Sequence, residues 1–311
     1  MKQKASVHRV NNRERQGGAI LITVNINDVN QSYKKFQALK HIHLEMESGL
    51  FGLLGPNGAG KSTLMNILST LLPMDEGEVT IYGHDLRTEG EEIRKLLGYL
   101  PQNFQAPGAF TGEEFLHYVA SMKGFQNKSG RTEEVKRVLE QVNLTEHASK
   151  KVKGYSGGMK RRLGIAQALI GQPKLMILDE PTAGLDPSER IRFRNVIEKL
   201  SKQYTIILST HIMSDIETSC EKVGVIHQGE VLFQGATNQL SKLAKDVVWE
   251  ITVPIARYDE VEQLYPVLTS RKEQDQMVFR VLSKEQPIHP AQRVSATLED
   301  GYMALINGVI S

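Results

Sequence analysis

The chain has a single cysteine, Cys220, so it forms no internal disulfide and its fold must be held together by packing. Such sparing use of cysteine suits a reducing cytosol, where disulfides are rare, and the lone thiol is expected to be a small buried apolar group. Long apolar runs are also missing. The nearest, such as Leu50 to Leu54 and Leu175 to Leu178, fall far short of the roughly 18 residues a membrane-spanning helix needs, so any membrane the protein serves is expected to be crossed by another polypeptide. An excess of charge of one sign is lacking too. The formal net charge is +2 and the basic residues are spread along the chain, which argues against a nucleic-acid partner. Residues 1–22 are polar and basic, lack the apolar core and cleavage site of a secretory signal, and read as a disordered extension. Read back through the genetic code, Gln16-Gly17-Gly18 could encode a ribosome-binding sequence, which would place a native start at Leu21 or Val24.

With 40% hydrophobic and 24% charged residues, the 311-residue chain can build one large α/β domain and a smaller second one. Thr23 to Tyr33 alternates apolar and polar residues, the rhythm of a half-exposed strand, and His41 to Glu47 repeats it. Leu50 to Leu54 then leads into Gly55-Pro56-Asn57-Gly58-Ala59-Gly60-Lys61-Ser62-Thr63. After it, Leu64, Met65, Ile67, Leu68 and Leu71 fall at helical spacing, giving strand, glycine loop and helix. Glu113 to Lys123 and Thr132 to Val142 have helical character, making residues 103–160 a compact helical insert. Lys174 to Leu178 and Thr205 to Leu208 are apolar without alternation, flanked by helical stretches at Met159 to Leu169 and Pro187 to Leu200. Such runs fit strands of a parallel sheet covered on both faces, so residues 23–240 read as an α/β core. Residues 241–311 read as a small α+β unit. It has strands at Val247 to Val253 and Gln276 to Leu282, a helix at Tyr258 to Leu264, and a last helix capped by Thr297 with Leu298, Tyr302 and Leu305 on one face.

In the loop Gly55 to Gly60, glycines let backbone amides turn inward on a phosphate chain while the following helix aims its positive end at the same charge. Lys61 is placed to reach the β and γ phosphates, Ser62 to ligate Mg2+ and Thr63 to donate to a phosphate oxygen. This glycine–lysine spacing arises by chance in roughly one in a hundred chains of this length. The apolar run Leu175 to Leu178 ends in Asp179 and Glu180. Alone, such a pair reads as a helix cap or a solvated turn. Beside a phosphate loop, Asp179 is expected to hold Mg2+ through its water shell, and Glu180 to polarise the water that attacks the γ phosphate. ATP and Mg2+ are therefore the expected ligands, and hydrolysis the expected reaction. Ser156-Gly157-Gly158 at the start of a helix is again an anion-binding geometry, although a bare Ser-Gly-Gly reads as a turn.

Tyr155-Ser156-Gly157-Gly158-Met159-Lys160-Arg161-Arg162, lying between the phosphate loop and the acid pair, closely resembles the signature motif of ATP-binding cassette proteins. Gln102, after Tyr99-Leu100-Pro101, is similar to that family's glutamine loop. Pro181 to Asp186 resembles the segment that carries the acid pair into a dimer contact, and His211 resembles the switch histidine. Tyr33 sits where the family places an adenine-stacking aromatic. The resemblance runs from Thr23 to Gly235. It departs from the commonest signature, which begins with Leu and has Gln after the second glycine, where this chain has Tyr155 and Met159. The variant resembles a bacterial exporter-type subfamily that includes drug, antibiotic and sodium efflux ATPases, and Thr297 to Tyr302 is similar to that subfamily's C-terminal end.

The resemblance implies an α/β phosphate-loop NTPase core with a mixed sheet and a helical subdomain. It implies catalytic roles for Glu180, His211, Lys61 and Gln102, with Gln102 linking the Mg2+ site of Ser62 and Asp179 to the insert. A head-to-tail dimer follows, of two copies or of two different cassettes. In it Ser156, Gly157 and Gly158 of one chain close over the ATP on Lys61 of the other, and Asp186 touches the partner loop. A transmembrane permease would dock on the insert near Phe104 to Phe115, placing the chain on the cytoplasmic face of the membrane, with export the expected direction. Import is an alternative. A soluble ATPase acting on DNA or ribosomes is disfavoured, because such relatives carry a long coiled coil or two cassettes, and this chain has a short insert and one phosphate loop.

Overall fold

The computed structural model describes residues 8–9 and 22–310. Apart from His8, Arg9 and Ile22, the extension expected over residues 1–22 lies outside them, as does the start at Leu21.

The main sheet has seven strands in the order His8–Arg9, Glu230–Ala236, Lys222–His227, Leu50–Leu54, Thr205–Thr210, Leu175–Asp179 and Leu97–Leu100. Lys222–His227 and Glu230–Ala236 pair antiparallel, while the run from Lys222–His227 to Leu97–Leu100 is parallel, so the sheet is mixed. Leu175–Asp179 and Thr205–Thr210 are buried along their whole length, which explains their apolar runs without alternation. Parallel strands deliver their C-terminal ends to one edge, the usual ligand edge of an α/β sheet. Leu54, Asp179 and Thr210 all end there, with Leu54 beside Thr210 and Asp179 beside Ser209.

Helix Lys61–Leu68 lies between this sheet and an antiparallel sheet of Phe36–Glu47, Ile22–Tyr33, Glu76–Ile81 and His84–Asp85. Leu64, Met65, Ile67 and Leu68 pack there with Ile26, Leu39, Leu44, Val79, Ile177 and Ile207. Helices Gly157–Leu169, Pro187–Ser201 and Met213–Ser219 contribute to the other large core. The insert adds helix Gly112–Met122, started by a capping box between Thr111 and Glu114, and helix Lys128–Gln141, capped by Asn127.

Beyond the core, Val267–Glu273, Gln276–Leu282, Val248–Pro254 and Ala291–Arg293 form an antiparallel sheet in that order. Trp249, Ile251, Val261, Phe279 and Val281 give it a small core of its own. Thr297 and Asp300 form the capping box that starts helix Leu298–Ile306. Leu298, Tyr302 and Leu305 of that helix enter the main core together with Leu240. Gly301 permits the approach, since a Cβ there would meet the Leu240 carbonyl oxygen at 2.1 Å.

Candidate nucleotide site

The glycine loop turns back on itself. Gly58 and Gly60 have φ of 80° and 107°, and a Cβ on Gly60 would lie 2.7 Å from the Ala38 carbonyl oxygen. A side chain there would be strained twice, by its dihedral and by backbone contact. The helix that follows has no side-chain cap at Gly60, so its first amides are open to an acceptor from outside the helix. Lys61 is 5% exposed, and its ammonium donates to the carbonyl oxygens of Gly55 at 2.7 Å and Pro56 at 3.1 Å. Asn57 is exposed on the loop and Ser62 on the first turn of the helix, and Ala59 is buried beneath the loop.

Glu180 is the first residue past its strand and takes a left-handed φ of 47°, unusual for a side chain of its kind and found most often where function requires it. Only 3% exposed, it is held from both sides: Lys61 Nζ lies 3.2 Å from Oε1 and His211 Nδ1 lies 2.6 Å from Oε2. Asp179 is buried as well, and Ser209 Oγ donates to its Oδ1 at 2.8 Å. Burial pushes the Asp179 carboxyl above its usual range. The Ser209 and Ser62 hydroxyls oppose that rise, Glu180 adds to it, and Lys61 offsets it.

Mg2+ takes one or two carboxylates, substrate phosphates and several waters rather than a cage of protein ligands. The Ser62 hydroxyl beside Asp179 supplies hard oxygen donors of this kind. Among the described residues no group of three or more His, Cys, Asp or Glu forms such a cage. The donor set therefore fits a Mg2+ shared with phosphate.

The other expected site residues lie farther out. The Gln102 side chain is exposed, and no described residue hydrogen-bonds it; its carbonyl instead accepts from Arg161 at 2.6 Å. The structure thus ties the Gln102 backbone to the signature helix without bringing its amide to Asp179. Tyr33 is 45% exposed at the end of its strand, with its ring free to stack. Ser156 caps helix Gly157–Leu169, its hydroxyl accepting from the Met159 amide at 3.1 Å. A Cβ on Gly157 would make ordinary contact with Leu185 at 3.8 Å, whereas one on Gly158 would lie 1.8 Å from Glu189 Oε2. Asp186 caps helix Pro187–Ser201 and accepts from the Glu189 amide and the Ser188 hydroxyl, which hold its carboxyl below the usual range. No hydrogen bond joins Ser156, Gly157, Gly158 or Asp186 to the glycine loop of the same chain among the described residues. Sequence reasoning missed Ser209, whose only signal is its place two residues before His211 on a strand adjoining Asp179.

A glycine loop opening a helix, beside a strand that ends in two acids at the C-terminal edge of a parallel sheet, defines a phosphate-loop nucleoside triphosphatase. The ABC transporter family profile matches residues 39–183. The linearmycin resistance ATP-binding protein LnrL of Bacillus subtilis is 36% identical over 229 residues, 73% of this chain and 73% of that protein. The ABC transporter ATP-binding protein YxlF of the same organism is 36% identical over 231 residues, 74% of this chain and 76% of its own. Among solved structures, the ATP-binding cassette MJ0796, a dimer in a post-hydrolysis state with ADP and Pi, superposes with a TM-score of 0.62 at 26% identity, covering 68% of this chain and 98% of that one. The chain belongs to the ATP-binding cassette transporter family, as an ATP-binding and ATP-hydrolysing subunit. No helix among the described residues is long and apolar enough to cross a membrane.

Proposed function

We propose that the chain energises export through a separate transmembrane permease, working as a head-to-tail dimer at the cytoplasmic face of the membrane. One observation carries the reading. Lys61, Glu180 and His211 converge within one chain, while Ser156, Gly157, Gly158 and Asp186 have no bond to that chain's own phosphate loop. Two copies packed loop to signature join these halves around two ATP molecules, and the dimeric state of MJ0796 supports this. The resistance named for LnrL favours export over import.

In this reading the loop amides and Lys61 hold the phosphate chain, and Tyr33 stacks on adenine. Glu180 takes the proton from the attacking water. His211, bonded to Glu180, fixes that carboxylate and stabilises the γ phosphate. Ser62, Asp179 and Gln102 would hold Mg2+, which when bound neutralises charge developing on the phosphates. Loss of the γ phosphate removes the bridge between the copies and opens the dimer, a two-state element biased by its ligand. The apolar side chains Phe110, Tyr118 and Met122, exposed on the insert, suit a permease contact.

Gel filtration of a Glu180→Gln chain tests the dimer, with elution at twice the monomer mass expected in MgATP and monomer mass without it. Detergent extraction of membranes tests the permease: the chain should co-purify with a polytopic protein encoded beside it. Recovery on ribosomes or DNA would overturn the transport reading.

A further inference from the structure

A second polar link crosses between the segments that carry the site. Thr182 Oγ1 donates to Asp215 Oδ2 at 2.5 Å, with Thr182 1% and Asp215 0% exposed. Thr182 belongs to the tight turn after Glu180, closed by Ala183 N to Glu180 O at 3.3 Å and Leu185 N to Thr182 O at 3.2 Å. That turn leads directly to Asp186. Asp215 lies on helix Met213–Ser219, which begins two residues after His211, and Arg194 also binds this helix through the Ser214 carbonyl and the Thr218 hydroxyl. Glu180 to His211 and Thr182 to Asp215 are therefore two rungs between the same two segments.

Burying a carboxylate is costly, and Thr182 gives Asp215 its one side-chain hydrogen bond, leaving Oδ1 without a partner. A core selected for stability alone would fill this place with apolar side chains. What a hydroxyl-to-carboxylate bond adds is direction, because charge-assisted bonds are short and geometrically specific. We infer that Thr182 and Asp215 are positioning residues for hydrolysis: their hydrogen bond locks the turn carrying Glu180 and Asp186 to the segment carrying His211. The groups that act on the γ phosphate and the side chain that faces the second copy then move as one unit. This inference rests on the roles proposed above for Glu180 and His211.

Steady-state ATPase assays and fluorescent-nucleotide titrations of Thr182→Val, Thr182→Ser and Asp215→Asn, with Glu180→Gln as control, provide the test. Thr182→Val keeps the shape and removes the hydroxyl. It should lower kcat about tenfold or more while leaving KM and nucleotide affinity unchanged. Thr182→Ser keeps the donor and should stay within about twofold of the parent, as the bond predicts and mere packing does not. If Thr182→Val does not fold, the nearly isosteric Asp215→Asn carries the test, with a fall in kcat of about threefold at unchanged KM. Parent-like kcat in Thr182→Val, equal losses in Val and Ser, or a loss confined to KM would each overturn the inference. An inactive Glu180→Gln beside a fully active Thr182→Val overturns the inference alone. An active Glu180→Gln removes the reading of the site and the inference with it.

Discussion

Lys61 and Glu180 form a buried ion pair, with Nζ 3.2 Å from Oε1, that joins the first turn of the phosphate-loop helix to the end of the acid-bearing strand. The two residues lie far apart in sequence and meet because the strands that precede them run parallel to one edge. In the proposed mechanism, this pairing places a phosphate chain held by Lys61 beside the carboxylate assigned to orient water against it.

Replacing Lys61 by Ala removes the one ammonium that reaches the Gly55 and Pro56 carbonyls and the Glu180 carboxylate. ATP affinity should fall by about ten- to a hundredfold, the loss of a charge-assisted contact of roughly 1.5–3 kcal/mol. Isothermal titration with ATP checks this, and unchanged affinity would contradict the phosphate-loop role of Lys61.

Glu180→Gln keeps the shape of the side chain and removes its basicity. Phosphate release should drop by about a hundredfold or more, at the scale of a positioned general base, while ATP still binds. Undiminished phosphate release from this variant would take Glu180 out of its role.

Gly301→Ala tests the seat of the last helix. A Cβ there meets backbone, the Leu240 carbonyl oxygen at 2.1 Å, so the helix has to lift from helix Thr237–Leu243. Overpacking of this kind costs about 1–3 kcal/mol. A lowered thermal midpoint is expected, with faster proteolysis between residues 244 and 248.

Arg280 grips Asp300 with two bonds, at 2.9 and 2.6 Å, and the Thr297 amide and hydroxyl donate to the same carboxylate. Burial alone would raise the Asp300 pKa; the Arg280 and Thr297 bonds outweigh it and hold the carboxyl below its usual range. A depressed carboxyl contributes stability that is present above its unfolded pKa of about 3.9 and lost as pH falls through the folded value. Arg280→Met should therefore destabilise by about 3 kcal/mol near neutral pH. In urea titrations the gap between parent and variant should close below about pH 4. A gap independent of pH would remove the ion pair as its cause.

Much of the site was legible because its parts are contiguous. Asp179-Glu180 and Ser156-Gly157-Gly158, which alone read as a cap and a turn, became legible only in order with Gly55 to Thr63, whose spacing within one loop reveals it. Thr297 was readable as a cap for the same reason. The strands Val267–Glu273 and Ala291–Arg293 were not: the first is mostly exposed and both lie at sheet edges, so neither carries the apolar alternation that marks a half-buried strand.

By itself the sequence determined that this chain grips a triphosphate and hydrolyses it, because a phosphate loop and an acid pair are local patterns. Tertiary structure decided which groups meet. Lys61 with Glu180, Ser209 with Asp179 and Thr182 with Asp215 all depend on strand order and register. A slip of one residue in register would turn each strand's side chains to the opposite face, and no local pattern records which register is taken.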